Sequence, residues 1–184
     1  TRTLLMYVKE NNRGTPGVLL DGLDVDEGYL LDTDNWVSHS LIQTLYNRMI
    51  DILDDDRAIY KMTLASERFQ SLGLLDRIVR LLGWPRLVYS QAPKYNRLLK
   101  LNGEVHVHEL GNSHVILEDR YHDGHLKTRH DCDYTRGILA GIPTMFGLPR
   151  AAVTEIECQV AVDIYGTRVW EDSPPQGSPG CLYR

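Results

Sequence analysis

The stretch Asn102-Gly103-Glu104-Val105-His106-Val107-His108-Glu109-Leu110-Gly111-Asn112-Ser113-His114-Val115-Ile116-Leu117 marks a change of period in the chain. Polar and apolar residues alternate over 104–108 and again over 113–117, which sends successive side chains to opposite faces of a strand. Gly111-Asn112 supplies the turn between them, so an antiparallel hairpin is predicted. Upstream the period is helical. Val37, Leu41, Leu45, Met49, Ile50 and Leu53 recur at helical spacing over 36–53, with Asp34 or Asn35 placed to cap the helix. Asp54-Asp55-Asp56 ends it and offers carboxylates to the N-terminus of a second helix, in which Ile59, Met62, Leu64 and Phe69 face inward. A third helix is predicted over 74–82, closed by Gly83-Trp84-Pro85, and a fourth from Ala92-Pro93 towards Leu101. Downstream, a helix over 134–146, interrupted at Gly141-Ile142-Pro143, precedes a strand over 151–157 and a strand or hairpin arm over 160–170. A Pro/Gly/Ser loop over 173–180 and a terminal strand complete the chain. Helices first and strands mainly second, without βαβ alternation, predict an α+β domain with N-terminal helices packed on an antiparallel sheet. Residues 1–35 are expected to form short extended segments and turns, set apart from a domain over 36–184.

The 184 residues suffice for one well-formed domain and not for two large ones. With 20 Lys+Arg against 25 Asp+Glu the formal charge is −5, which argues against a protein whose main work is neutralising phosphates along a nucleic acid. No apolar run approaches the roughly 18 to 20 residues of a membrane span, and the opening TRTLLMYVKE lacks the apolar core of a signal peptide. A cytoplasmic protein with no direct nucleic-acid or membrane contact is expected. The chain starts without Met and stops at Cys181-Leu182-Tyr183-Arg184, like a strand cut in mid-run, so a piece of something larger is also expected. It contains no GxSxG, Walker A, GxGxxG or HExxH pattern, and is not expected to be an enzyme.

Three cysteines, Cys132, Cys158 and Cys181, all fall in the last third of the chain. A disulfide framework is not needed for stability at this length, and an odd count does not close one. Three sulfurs with one further donor make a tetrahedral zinc set, because thiolate is a soft ligand and the fourth donor completes the shell. No pair is spaced CxxC, so each cysteine can equally be a small buried apolar residue. Asp131 and Asp133 flank Cys132 and should raise its thiol pKa, which fits a structural thiol better than a catalytic thiolate. Six of the seven histidines, His106, His108, His114, His122, His125 and His130, fall within 25 residues. His106 and His108 alternate with Val105 and Val107 on one strand face, expected to be the solvent face, and His122, His125 and His130 surround Asp123-Gly124 in a predicted loop. The absence of CxxCH excludes covalent c-type haem attachment by that signal.

The segments Cys132-Asp133-Tyr134-Thr135-Arg136-Gly137-Ile138-Leu139, Ile142-Pro143, Gly147-Leu148-Pro149, Ala152-Val153-Thr154-Glu155-Ile156-Glu157-Cys158 and Gly180-Cys181-Leu182-Tyr183 resemble the C-terminal half of 4-vinyl-reductase-type sensory domains. Such domains are the input modules of phenol-responsive transcriptional activators and of related bacterial histidine kinases and cyclases. The resemblance covers roughly residues 130–184 and is topological elsewhere. It implies the ligand-binding fold shared by nitric-oxide-signalling and Golgi-transport proteins. It also implies a structural zinc held by Cys132, Glu155, Cys158 and Cys181. Cys132 to Glu155 spans 23 residues and Glu155 to Cys158 spans 3, as in the family, but 22 residues intervene between Cys158 and Cys181, more than the family uses. Looping them out costs little entropy. Positions i and i+3 of a regular strand face opposite sides, so Glu155 and Cys158 can share a metal only if the strand ends or bulges between them. Glu157 or a nearby histidine stands as the substitute.

In the phenol-sensing relatives aromatic and aliphatic side chains enclose the effector. The corresponding candidates here are Trp84, Tyr60, Phe69, Tyr89, Tyr95 and Phe146, with Trp84 fixed by the Gly-Trp-Pro break. There is no histidine between His39 and His106 to anchor a phenol. The resemblance implies a small apolar or aromatic ligand, a homodimer in which the apolar segment over 18–31 takes part, and an attached output region. The alternatives are a scaffold domain of the same fold and a haem-based gas sensor.

Overall fold

The protein is described by a computed structural model that covers residues 1–11, 17–66, 81, 83–160 and 177–184. It divides into two compact units, Thr1–Ile78 and Val79–Arg184. The helix predicted over 74–82, Phe69 and the strand arm over 160–170 lie outside the described residues, save Leu81 and Val160.

Among the described residues the regular elements of the first unit are all helices: α1 (Arg2–Asn11), α2 (Gly17–Leu20), α3 (Glu27–Leu31), α4 (His39–Leu53) and α5 (Ala58–Leu64). Helix α4 follows the predicted stripe, but its cap is Ser38, whose Oγ accepts from Leu41 N at 3.2 Å. Asp54 closes it in the left-handed region at φ 47°. The expected extended character of 1–35 is corrected. Leu4, Leu5 and Val8 fall on one helical face of α1 and are at most 2 % exposed, and Asp26, read above as part of an acidic turn, caps α3 by accepting from Tyr29 N at 2.7 Å. Leu19 and Leu30 complete one core with Leu45, Met49, Ile59 and Met62. The boundary expected at 35/36 therefore falls inside this unit, because helices on both sides of it share that core.

The second unit begins with α6 (Pro85–Ser90) and α7 (Ala92–Leu99), each carrying a proline in its first turn, where a missing N–H costs nothing. The predicted hairpin follows as β1 (Gly103–Leu110) and β2 (Val115–Tyr121), with a register shift between Val107 and Glu109. A side chain at Gly103 would meet the Arg120 carbonyl oxygen at 2.5 Å, so glycine is required there. Helix α8 (Arg129–Gly141) runs into a 3₁₀ turn (Ile142–Phe146), and β3 (Glu155–Glu157) and β4 (Cys181–Tyr183) finish the chain. Among the described residues the strands form one antiparallel sheet in the order β1-β2-β4-β3. The C-terminal strand is thus interior, paired on one side with β2 through Asp119↔Cys181 and on the other with β3 through Glu155↔Tyr183. The predicted α+β class is what the chain adopts. Among the described residues no helix is long and apolar enough to cross a membrane.

Candidate metal centre

Helix α8 starts five residues before the expected Tyr134, because Thr128 and Asp131 form a capping box. Thr128 Oγ1 accepts from Asp131 N at 3.3 Å, and Asp131 Oδ2 accepts from Thr128 N at 2.8 Å. Cys132 is thereby fixed in the first turn of the helix. The register of β3 against β4 shifts between Glu155 and Glu157. Ile156 and Glu157 both turn outward as a result, and Glu155 and Cys158 both turn inward and are buried. A break in the strand at this point is the condition under which Glu155 and Cys158 can share a metal. Cys181 comes from the interior strand β4.

Cys132, Glu155, Cys158 and Cys181 converge, all buried, with one ligand atom from each lying within 4.8 Å of the others. The three Sγ–Sγ separations are 3.7 Å each. A disulfide needs about 2.05 Å, whereas the edge of a tetrahedron of sulfurs about 2.3 Å from a central ion is about 3.8 Å. The sulfurs are therefore spaced as one face of a tetrahedral site would be, and a Glu155 carboxylate oxygen lies within 4.8 Å of each of them. Glu155 Oε2 accepts from Arg129 Nη1 at 2.9 Å, while Oε1 is buried with no hydrogen-bond partner among the described residues. A buried carboxylate oxygen left without a donor is a costly arrangement that a cation resolves. Gln159 N donates to Cys181 Sγ at 3.1 Å. The four residues can hold a metal ion, and among the described residues no other cluster of His, Cys, Asp or Glu gathers in this way.

The histidines take no part. His106 and His108 are exposed on β1, facing Glu104 and Glu118 at 3.0 and 2.9 Å, and His114 faces Glu109 at 2.7 Å. His122 and His125 are exposed, and His130 is buried in the first turn of α8 rather than in the expected loop. Of the aromatic candidates, Tyr60 belongs to the first unit, half-buried, with the Arg57 guanidinium 5.8 Å from its ring centroid. In the second unit Tyr89 is buried and donates to the Leu139 carbonyl at 2.7 Å, Tyr95 and Phe146 are half-buried, and Trp84 is 70 % exposed at the N-cap of α6. Arg129, Gln159 and the buried Asp119–Lys127 pair are site neighbours that the sequence reading passed over. Arg129 was within reach of it, since it precedes Cys132 by three residues and so shares its helix face.

Without metal the sulfurs share protons unequally. Hydrogen bonds to Cys158 and Cys181, with burial, hold the Cys132 thiol well above its ordinary value. This is the direction the flanking aspartates suggested, but with the neighbouring sulfurs as its main cause. Cys158, helped downward by Cys132, is still pushed up to about 12 by Cys181 and burial. Cys181 goes the other way, because both neighbouring thiols donate to it and Lys127 and Gln159 N add to the effect. Metal loading at neutral pH must then expel about two protons, so affinity should rise about 100-fold per pH unit between pH 6 and 8. Competition against a chromophoric chelator across that range measures the slope, and a flat profile would show the thiols already deprotonated. The same shifts fix a second sign. The unfolded chain sheds these thiol protons near the ordinary value of 9.0, before the metal-free folded form does, so that form loses stability as pH climbs from there towards about 12.

No protein-family model, curated protein or solved structure matches the chain.

Proposed function

We propose that the chain is a ligand-binding sensory domain of a bacterial signalling or transcription-regulatory protein, with a structural zinc at Cys132, Glu155, Cys158 and Cys181. The observation that carries this reading is the convergence of those four residues, the positions the 4-vinyl-reductase-type resemblance designates, across the 22-residue interval before Cys181. Three thiolates with one carboxylate favour zinc over the hard, oxygen-preferring ions, and four protein ligands leave no open position for a reacting water. The ion therefore fastens helix, strand and terminus and takes no part in chemistry. The ligand in this reading is small and apolar or aromatic, with the half-buried aromatics as candidate lining, the protein is a homodimer, and an output region follows the domain.

Native mass spectrometry and elemental analysis of protein prepared without chelator test it. One zinc per chain is expected, and less than about half an equivalent overturns the metal assignment. For the sensory role, a panel of apolar aromatic compounds is expected to raise the melting temperature of the zinc-loaded protein. No shift with any of them at millimolar concentration would favour the scaffold reading.

A further inference from the structure

A second charged cluster adjoins the sulfurs. Asp119 of β2 is the cross-strand partner of Cys181, and Thr135, three residues after Cys132 on the same face of α8, donates its hydroxyl to Asp119 Oδ2 at 3.2 Å. Lys127 Nζ donates to the same oxygen at 2.7 Å and to the Asp119 carbonyl at 2.9 Å. The side chains of Lys127 and Asp119 are 1 % and 4 % exposed. Lys100, at the end of α7, pairs with the other carboxylate oxygen and keeps a 21 % exposed side chain. One carboxylate thus has two ammonium partners. The two lysines exceed the carboxylate by one positive charge, and the Lys127 ammonium also lies 5.2 and 5.9 Å from the ring centroids of Tyr121 and Tyr183; a further anion would balance that charge.

A source of that anion lies across the strand pair, where Cys181 is the partner of Asp119. Three thiolates and a carboxylate around a divalent ion leave two negative charges in the interior, and Arg129 at Glu155 meets one of them. The Lys127 ammonium lies 5.9 Å from the ring centroid of Tyr183 on β4, the strand that carries Cys181. We propose that Lys127, aimed by Asp119 and Thr135, is the counter-charge of the metal–thiolate centre, a positioning residue that sets how tightly the site holds its ion. The inference rests on the metal reading given above and deepens it.

The variant K127M, compared with wild type and with K127R, which keeps the charge, tests it, since Lys100 still pairs with Asp119 in K127M and no buried carboxylate is left without a cation. If Lys127 serves only Asp119, K127M binds zinc as wild type does. If it serves the thiolates, zinc affinity falls about 10- to 100-fold, as for loss of an outer-sphere partner. The sulfur-to-cobalt charge-transfer band of the cobalt-substituted protein also moves to longer wavelength, because the thiolates lose a stabilising positive charge. Wild-type affinity together with an unshifted band overturns the proposal and leaves the metal site standing. A wild-type chain that binds neither zinc nor cobalt overturns both.

Discussion

Stripping the proposed metal from the reduced protein is expected to melt the sheet of the second unit while leaving the helices of the first in place. The difference lies in what each unit buries. In the first, Leu4, Leu5, Val8, Leu19, Leu30, Leu45, Met49, Ile59 and Met62 are each at most 2 % exposed and form a hydrocarbon core. In the second, the cluster around β4 consists of Cys132, Cys158, Val160, Cys181 and Tyr183, with Leu139 and Val153 packed against it. Three of its five buried members among the described residues are the candidate ligands. Structural zinc contributes roughly 10–16 kcal/mol to small metal-held folds, about as much as the entire 5–15 kcal/mol that separates a typical domain from its unfolded state. Hydrogen exchange before and after treatment with a strong chelator reads the result by segment. Protection is expected to vanish over Val115–Tyr121 and Cys181–Tyr183 and to persist over His39–Leu53. Retained sheet protection, or a melting shift below about 5 °C, would mean that the ion does not hold the fold.

The parts of this architecture that a single sequence reveals are those in which the chain writes its own geometry locally. The hairpin is legible because alternation and a Gly-Asn turn fix both period and register, and α4 because its apolar stripe runs unbroken from Leu41 to Leu53. The helices of residues 1–35 are not. In α2 and α3 the apolar pairs, Leu19-Leu20 and Leu30-Leu31, are too short to display a period, and burial in one core with α4 and α5 decides their conformation. Asp26 looks like a turn residue and is a cap, since the same oxygen-bearing side chain serves both purposes. At the metal centre the ligands' identities come from the resemblance, and the strand rule adds a condition: Glu155 and Cys158 share an ion only through a bulge. The register shift between Glu155 and Glu157 meets that condition. What sequence spacing cannot give is the set of non-local neighbours. Gln159 reaches the Cys181 sulfur, and Asp119, with Lys127 bonded to it, is brought opposite Cys181 only by the β2–β4 pairing.

Cys181→Ser is expected to lower zinc affinity at least about 10³-fold, roughly 4 kcal/mol, as Cys132→Ser and Cys158→Ser should, whereas Glu155→Gln costs less because a neutral carboxamide oxygen remains a donor. The comparison turns on the 22 residues between Cys158 and Cys181. The Ser178 N–H donates to the Cys158 carbonyl at 3.0 Å, and Gln159 N donates to Cys181 Sγ at 3.1 Å, so the two ends of the interval are pinned to each other beside the site. An excursion closed at its base costs only the slowly growing entropy of a longer loop and leaves the ligand geometry untouched. Serine keeps the size of the side chain and its ability to accept from Gln159. It exchanges a soft thiolate for a hydroxyl that does not ionise at neutral pH, so the loss reports coordination rather than packing. Titration with cobalt, followed through the intensity of the sulfur charge-transfer band per bound ion, counts the thiolates directly. Wild type should give three sulfurs' worth, and each single Cys→Ser variant two if it binds cobalt at all. A Cys181→Ser protein that retains wild-type affinity and the full band, while Cys132→Ser and Cys158→Ser lose theirs, would place the fourth donor elsewhere and remove β4 from the centre.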